Sequence, residues 1–150
     1  MRKPGASCRR SCARSKAMPL LVLDIDHFKR VNDSCGHAIG DAVLRTVAQQ
    51  IRAWVREGDV ACRYGGEEFV TLLPDCGVEV STGRAERLRA ALEATLLQAD
   101  GRGPEQVTAS FGVAGFPNHG GEAEALFRAA DKALYRAKQL GRNRVVTVGD

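Results

Sequence analysis

Acidic residues in two short stretches of the sequence could together bind a divalent cation. Glu67 and Glu68 follow two glycines in RYGGEEF (residues 63–69), and Asp24 and Asp26 end the apolar stretch LLVLDID (residues 20–26). Converging carboxylates repel one another unless a cation lies between them. Hard cations such as Mg²⁺ prefer oxygen ligands and commonly bind phosphates as well. These acids therefore favour a site for Mg²⁺ and a nucleoside triphosphate.

The glycines and three basic residues agree with a bound nucleotide. Gly65 and Gly66 have no side chains, so a bulky ligand could approach the backbone beside the glutamates. Lys29, Lys138 and Arg142 are candidates to contact its phosphates. Each feature alone also has an ordinary structural explanation, since a Gly-Gly turn can be a solvated hairpin and an Asp at a strand end can be a turn or helix cap. Their joint occurrence, in order, favours function.

The hydrophobic pattern predicts the elements that must position these residues. Short apolar runs indicate strands, and apolar residues that recur every three or four positions indicate helices. The predicted elements are a strand at 20–26, a helix at 38–55, a hairpin of strands at 59–64 and 68–73, a helix at 78–98, a strand at 107–116, a helix at 122–140 and a strand at 144–148.

The order of these elements predicts an α/β (α+β) fold with a ferredoxin-like β-α-β-β-α-β core, followed by one more helix and strand. We expect an antiparallel-rich sheet with the helices packed on one face. In such a core the first strand commonly lies beside a hairpin strand, which would bring Asp24 near Glu67 and Glu68. Cys62 precedes the glycines in an apolar run and is predicted to be buried.

Composition and charge narrow the class of protein. The 150 residues suit one domain, and no apolar run approaches the ~20 residues of a membrane span. The start lacks the apolar core of a secretory signal, so we expect a cytoplasmic protein. Residues 1–16 hold six basic residues and no acid, which leaves a net charge of −2 on the rest. This segment is expected to be a disordered lead-in or the remnant of an N-terminal helix, and nucleic-acid binding is not expected.

Three motifs in order resemble a known family. They are DIDHFKRVNDSCGHAIGD, RYGGEEF and ADKALYRAKQLGRNRV, and together they resemble the GGDEF family of diguanylate cyclases over about residues 17–148. The resemblance implies that residues 17–150 form a GGDEF domain with the nucleotidyl cyclase fold, related to the palm of polymerases. It also implies that two GTP are condensed into cyclic di-GMP with release of pyrophosphate, with Mg²⁺ or Mn²⁺ as cofactor, in a homodimer whose domains face each other.

The resemblance also implies roles for individual residues. Asp24, the backbone carbonyl of Ile25, Glu67 and Glu68 would hold the metal. Glu67 would also accept the proton of the 3′-hydroxyl group, and Lys29 would offset charge that develops on the phosphates. The residues expected at the substrate are Asn32 and Asp41 at the guanine edge, His37 in the same pocket, Gly65 and Gly66 beside the nucleotide, and Lys138 and Arg142 at the β- and γ-phosphates.

The stretch REGD at residues 56–59 contains Arg56 and Asp59 in an R-x-x-D pattern. Alone it favours a charged turn at a helix end. Its place shortly before Gly65 resembles the inhibitory site of the family, which implies that product cyclic di-GMP binds Arg56 and Asp59. Arg87 on the following helix resembles a secondary partner in that site.

Two other functions stay open at this point. A cyclase-like module could bind GTP or cyclic di-GMP only as a sensor, but GGEEF is a functional variant within the family. A related cyclase could use ATP, but the Asp41 carboxylate would repel N1 of adenine, which is an acceptor. The family's usual opening stretch, of the form D-x-L-T-G-L-x-N-R, is absent. An upstream sensor or dimerisation domain is expected in the full-length protein.

Overall fold

The computed structural model describes residues 17–97 and 106–150, and the predicted lead-in at residues 1–16 lies outside them. The elements, in chain order, are β1 (Met18–Ile25), α1 (Phe28–Cys35), α2 (His37–Trp54), β2 (Val60–Arg63), β3 (Glu68–Leu72), α3 (Val78–Ala94), β4 (Ala109–Phe116), α4 (Ala123–Gln139) and β5 (Val145–Thr147). The predicted mixed α+β fold is confirmed.

The strand β1 lies at the centre of a five-stranded sheet with the order β2-β3-β1-β4-β5. It pairs antiparallel with both β3 and β4, while β5 pairs parallel with β4. Residues 19–25 of β1 are all buried, which explains why this strand reads as a continuous apolar run. The hairpin of β2 and β3 is also confirmed, with Cys62 opposite Val70.

Helices cover both faces of the sheet, so the expectation of helices on one face was wrong. Leu21, Leu23 and Ile25 of β1 pack in the core cluster that holds Val43 and Leu88 of α2 and α3. The alternate residues Leu20 and Val22 pack with Leu126, Ala130 and Leu134 of α4. An uninterrupted apolar strand needs cover on both faces, because successive side chains point to opposite sides.

Other differences lie at the ends of elements and at the sheet edge. Cys62 is exposed rather than buried, because β2 is an edge strand and all four of its residues are exposed. The helix α1 was not predicted, although Phe28, Val31 and Cys35 recur at helical spacing. The helix α3 ends at Ala94, before the predicted residue 98. No helix in the described ranges is both long and apolar enough to cross a membrane.

Gly112 on β4 lets α4 lie close against the sheet. A Cβ at this position would overlap the backbone carbonyl oxygen of Ala130 and the backbone nitrogen of Leu134. We expect Gly112→Ala to lower the free energy of unfolding by about 3 kcal/mol, because α4 must move away from β4. Urea denaturation measures this change.

The matched control is Gly83→Ala on the exposed side of α3, where no neighbouring atom of the described chain lies within 4 Å of an added Cβ. This variant is expected to gain up to ~1 kcal/mol from helix propensity. Equal urea midpoints for Gly112→Ala and the wild-type protein would contradict the close packing of α4.

Candidate active site

The turn between β2 and β3 is held by hydrogen bonds that place the two glutamates. The backbone N–H of Tyr64 donates to the carbonyl of Glu68 at 2.8 Å, which closes the turn. The guanidinium of Arg63 donates to the carbonyl of Gly65 at 3.0 Å and to that of Gly66 at 2.6 Å. Because Arg63 binds the carbonyls that precede the glutamates, it positions the turn. Sequence reasoning assigned it no role.

The end of β1 meets this turn. In the antiparallel register of β1 and β3, Asp24 lies opposite Glu68. The backbone N–H of Ile25 donates to the carbonyl of Glu67 at 3.2 Å, which ties the turn to β1 just beyond the strand pairing. The prediction that Asp24 lies near Glu67 and Glu68 is therefore confirmed.

These carboxylates concentrate negative charge in a partly buried place. Burial raises the pKa of Asp24, and the nearby Lys138 ammonium opposes that rise without cancelling it. Burial also raises the pKa of Glu67 and of Glu68, and the charge of Asp24 raises both further. Lys138 Nζ lies 3.1 Å from Asp24 Oδ2. A single ammonium group thus compensates only part of the charge.

The donor types of this cluster fit a hard divalent cation. The acidic side chains offer oxygen donors, and their pKa values are raised first by burial and further by the neighbouring carboxylates, whose negative charge such a cation would offset. Within residues 17–97 and 106–150, no group of three or more His, Cys, Asp and Glu side chains converges closely enough to hold a metal by itself. The Glu68 carboxylate lies towards Gly65, where its Oε2 is 3.3 Å from the place of an added Cβ. Backbone oxygens or substrate oxygens would have to complete the ligand set.

Two basic residues at the end of α4 carry charge that acts on the carboxylates, while their predicted contact with phosphates stays a prediction. Lys138 lies in the last turn of α4, and Gly141 with φ 112° ends the helix. Arg142 adopts a left-handed conformation with φ 65°, and its backbone N–H donates to the carbonyl of Ala137 at 3.0 Å. The pKa of Asp24 is raised mainly by burial, and the charges of Lys138 and Arg142 both oppose that rise.

The remaining predicted substrate residues lie on α1 and α2. A Cβ on Gly40 would overlap the side-chain amide of Asn32, so Asn32 lies against α2 one residue before Asp41. Lys29, His37 and Asp41 are exposed. Among the described residues, no hydrogen bond or ion pair joins these three side chains to the carboxylates of β1 and β3. The structure packs Asn32 against Gly40, next to Asp41 in the chain, and the substrate roles of Lys29, Asn32, His37 and Asp41 stay predictions.

Asp26, which was considered beside Asp24, anchors the loop that follows α4. Its carboxylate is buried and accepts hydrogen bonds from Thr108 Oγ1 at 2.7 Å, Ser110 Oγ at 2.7 Å and the backbone N–H of Asn143 at 3.0 Å. Asp26 therefore joins β1, β4 and the segment that carries Arg142. The sequence shows the acid, but no local pattern identifies its distant partners.

Asn143 connects the same loop to α3. Its side-chain Oδ1 accepts from Arg89 Nη1 at 2.8 Å, and its Nδ2 donates to Glu93 Oε1 at 2.9 Å. Asn143 has a positive φ of 44°, next to Arg142 with φ 65°. The strained backbone is thus held by hydrogen bonds from both sides.

The R-x-x-D residues form a turn after α2, away from the carboxylate cluster. Arg56 is exposed, and Asp59 accepts a hydrogen bond from the backbone N–H of Arg56 at 2.8 Å. The cation paired with Asp59 is Arg84 at 2.6 Å, which sequence reasoning missed. The predicted partner Arg87 lies one turn later on α3 and is exposed.

Comparisons with known proteins agree on one family. The family model described as diguanylate cyclase, GGDEF domain, matches residues 6–144. The diguanylate cyclase DgcP of Pseudomonas aeruginosa is 50% identical over 127 residues, which are 84% of this chain and 18% of that protein. The response regulator PleD of Caulobacter vibrioides is 45% identical over 84% of this chain and 28% of its own length. The chain thus spans about a fifth to a quarter of these relatives.

Solved structures give the same answer at the level of the fold. The GGDEF domain of DgcB from Caulobacter crescentus, in complex with c-di-GMP, has a TM-score of 0.84 and 36% identity, with 90% of this chain and 80% of that chain covered. The active GGEEF domain of a diguanylate cyclase from Vibrio cholerae has a TM-score of 0.83 and 30% identity, with coverage of 90% and 85%.

Replacement of Asp26 by alanine tests the anchoring of the loop after α4. We expect Asp26→Ala to lower the free energy of unfolding by about 3 kcal/mol, because three donors lose a charged acceptor in a buried place. Urea denaturation measures the loss, and Asp33→Ala on the exposed side of α1 is the control with little expected change. A loss no larger than that of Asp33→Ala would contradict the role given to Asp26.

Proposed function

The chain belongs to the GGDEF family of diguanylate cyclases, and we propose that it condenses two molecules of GTP into cyclic di-GMP with release of pyrophosphate. One observation carries the proposal: Asp24 lies opposite Glu68 beside the turn that carries Glu67, is paired with Lys138 and is affected by the charge of Arg142. Acids that need a cation, next to bases that suit phosphates, match a triphosphate bound with a divalent metal ion.

We propose Mg²⁺ or Mn²⁺ as the cofactor, since diguanylate cyclases of this family generally depend on a divalent metal. Asp24, the backbone carbonyl of Ile25 and Glu67 would hold it, with Glu68 as a further carboxylate ligand. When bound, the cation would stabilise charge on the α-phosphate and lower the pKa of the attacking hydroxyl group.

Residues of the chain itself then act as the general base and bind the phosphates. Glu67 accepts the proton of the 3′-hydroxyl as the general base. The 3′-oxygen forms a bond to the α-phosphorus of the second GTP as the bond to pyrophosphate breaks. Lys138 and Arg142 hold the β- and γ-phosphates, and Lys29 offsets the charge that develops on them.

The guanine is read by α1 and α2. The Asp41 carboxylate accepts from the N1–H and the exocyclic amine, both of which are donors, and Asn32 beside it completes the edge. His37 lines the pocket, while Gly65 and Gly66 leave room for the nucleotide next to the glutamates. The contact of the Asn32 amide with α2 at Gly40, the residue before Asp41, supports this assignment.

Each domain holds one GTP in this scheme, so two domains must face each other to join them. We therefore propose a homodimer as the active form, with a sensor or dimerisation segment in the longer protein. GTP is supplied in the cytoplasm, which is where we place the domain.

The main test is replacement of the proposed base. We expect Glu67→Gln to lower the rate of cyclic di-GMP formation at least ~100-fold, because removal of a general base costs this much or more. Purified protein is incubated with GTP and Mg²⁺, and the products are separated by chromatography. Circular dichroism checks that the variant remains folded.

The control is Glu79→Gln in the first turn of α3, an exposed acid whose loss is expected to leave the rate unchanged. Near-normal turnover by Glu67→Gln, or wild-type protein that makes no cyclic di-GMP at concentrations where it dimerises, would contradict the proposed function.

We also propose that product cyclic di-GMP inhibits the enzyme through the R-x-x-D turn. Arg56 and Arg87 are both exposed and free to grip the O6 and N7 acceptors of a guanine. The ionised Asp59 supplies the matching acceptor for the N1–H and amine side. Bound product on this surface would keep two domains from meeting.

Loss of Arg56 should weaken product binding. We expect Arg56→Ala to bind cyclic di-GMP about tenfold or more weakly, since a bidentate contact from arginine to guanine contributes roughly 1–3 kcal/mol. Titration calorimetry measures the affinity. Arg52→Ala, an exposed arginine near the end of α2, serves as the control with unchanged binding. Equal affinity of Arg56→Ala and wild-type protein would exclude Arg56 from the site.

A further inference from the structure

Asp59 of the R-x-x-D turn is tied to α3 by a buried ion pair. Arg84 Nη2 lies 2.6 Å from Asp59 Oδ2, and the two side chains are only 7% and 6% exposed. The turn itself is closed by the backbone N–H of Asp59, which donates to the carbonyl of Arg56 at 3.0 Å. Arg84 therefore holds the Asp59 carboxylate in place without any bound ligand.

Trp54 at the end of α2 fixes Arg84 in turn. The Arg84 guanidinium lies over the Trp54 ring, with its central carbon 4.7 Å from the ring centroid. The indole Nε1–H donates to the backbone carbonyl of Arg84 at 2.8 Å. The ring of Trp54 thus attracts the Arg84 guanidinium, and its N–H holds the Arg84 backbone. Together these two contacts restrict the position of the guanidinium.

The ion pair also keeps Asp59 charged and leaves one of its oxygens available. Burial alone would raise the pKa of Asp59, but hydrogen bonds from Arg84 and from the backbone of Arg56, with the charges of both residues, bring it below the ordinary value. Both hydrogen bonds end on Oδ2. The other oxygen, Oδ1, accepts none from the residues that the structure describes.

We propose that Arg84 is a positioning residue of the product-binding site, which orients the Asp59 carboxylate so that Oδ1 accepts from the N1–H and amine of a cyclic di-GMP guanine. The inference rests on the proposed inhibitory function of the R-x-x-D turn. Arg84 is buried against the Trp54 ring, so it acts through Asp59 and not by contact with the ligand. Arg87, one turn later and exposed, is the arginine of α3 that meets the ligand.

Titration calorimetry with cyclic di-GMP tests this role in the full chain. Arg84→Met keeps an unbranched side chain against Trp54 but removes the charge and the hydrogen bonds, and we expect it to weaken binding about tenfold. Arg84→Lys retains the charge and should lose less affinity. The control is Arg128→Met on α4, an exposed arginine paired with Glu124, which should bind like the wild-type protein.

The pH dependence of binding separates positioning from a general structural effect. The charged groups that face Asp59 are Arg84 from α3 and Arg56 from its own turn. Their effect lowers the pKa of Asp59, so wild-type binding should persist as the pH falls until that low pKa is reached. Without the Arg84 charge the pKa rises, and Arg84→Met should lose affinity at a higher pH. In an Asp59→Asn background, Arg84→Met should cause little further loss.

The outcomes are distinct. Wild-type protein that does not bind cyclic di-GMP overturns the inhibitory site and this inference together. Wild-type binding with an unchanged affinity and pH profile in Arg84→Met overturns the role of Arg84 alone. Additive losses of Arg84→Met and Asp59→Asn overturn it as well. If Arg84→Met does not fold, Arg84→Gln, which also removes the charge, decides by the same two readouts, and an Arg84→Gln variant that matches wild-type protein in both overturns the inference.

Discussion

Mutual repulsion of the carboxylates at the end of β1 is the constraint on which the active-site end of the molecule depends. The antiparallel register sets Asp24 opposite Glu68, so neither residue can move away without breaking the central strand pairing of the sheet. Burial then raises the pKa of both. Lys138 of α4 pairs with Asp24 and offsets part of the negative charge of the carboxylates. The proposed cation and its triphosphate would offset the rest, so this end of the fold suits the proposed nucleotide chemistry.

The helix α3 supports both proposed nucleotide sites. Near its middle, Arg84 holds Asp59 of the R-x-x-D turn. Less than two turns later, Arg89 holds Asn143 in the loop that carries Arg142. That loop is also bound to Asp26 at the end of β1. A rotation of α3 would have to break one of these contacts, so the R-x-x-D turn and the loop that carries Arg142 are both tied to the same helix.

Local patterns in the sequence were enough to predict the sheet, the hairpin and the carboxylate cluster. Sequence patterns do not identify residues whose roles depend on partners far away along the chain. The donors to Asp26 lie 82 to 117 residues further along the chain, and no spacing rule connects them. Cys62 sits in an apolar run yet is exposed, because only the strand order makes β2 an edge. From the sequence alone, Arg84 would be placed on the exposed surface of its helix. In the structure it is buried against Trp54 and Asp59.

The energetics of buried ion pairs favour a functional reason for the pair of Arg84 and Asp59. Two charges taken out of water lose hydration that their attraction does not reliably restore, and well-packed apolar residues in their place are often as stable or more so. Stability alone therefore explains the pair poorly. The pair does orient the Asp59 carboxylate. Oδ2 accepts the hydrogen bonds from Arg84 and from the backbone of Arg56, the lowered pKa keeps the carboxylate ionised, and Oδ1 is left as the acceptor. In the proposed site the R-x-x-D motif supplies the residues that touch a guanine, and the buried Arg84 behind it sets the orientation of the Asp59 carboxylate.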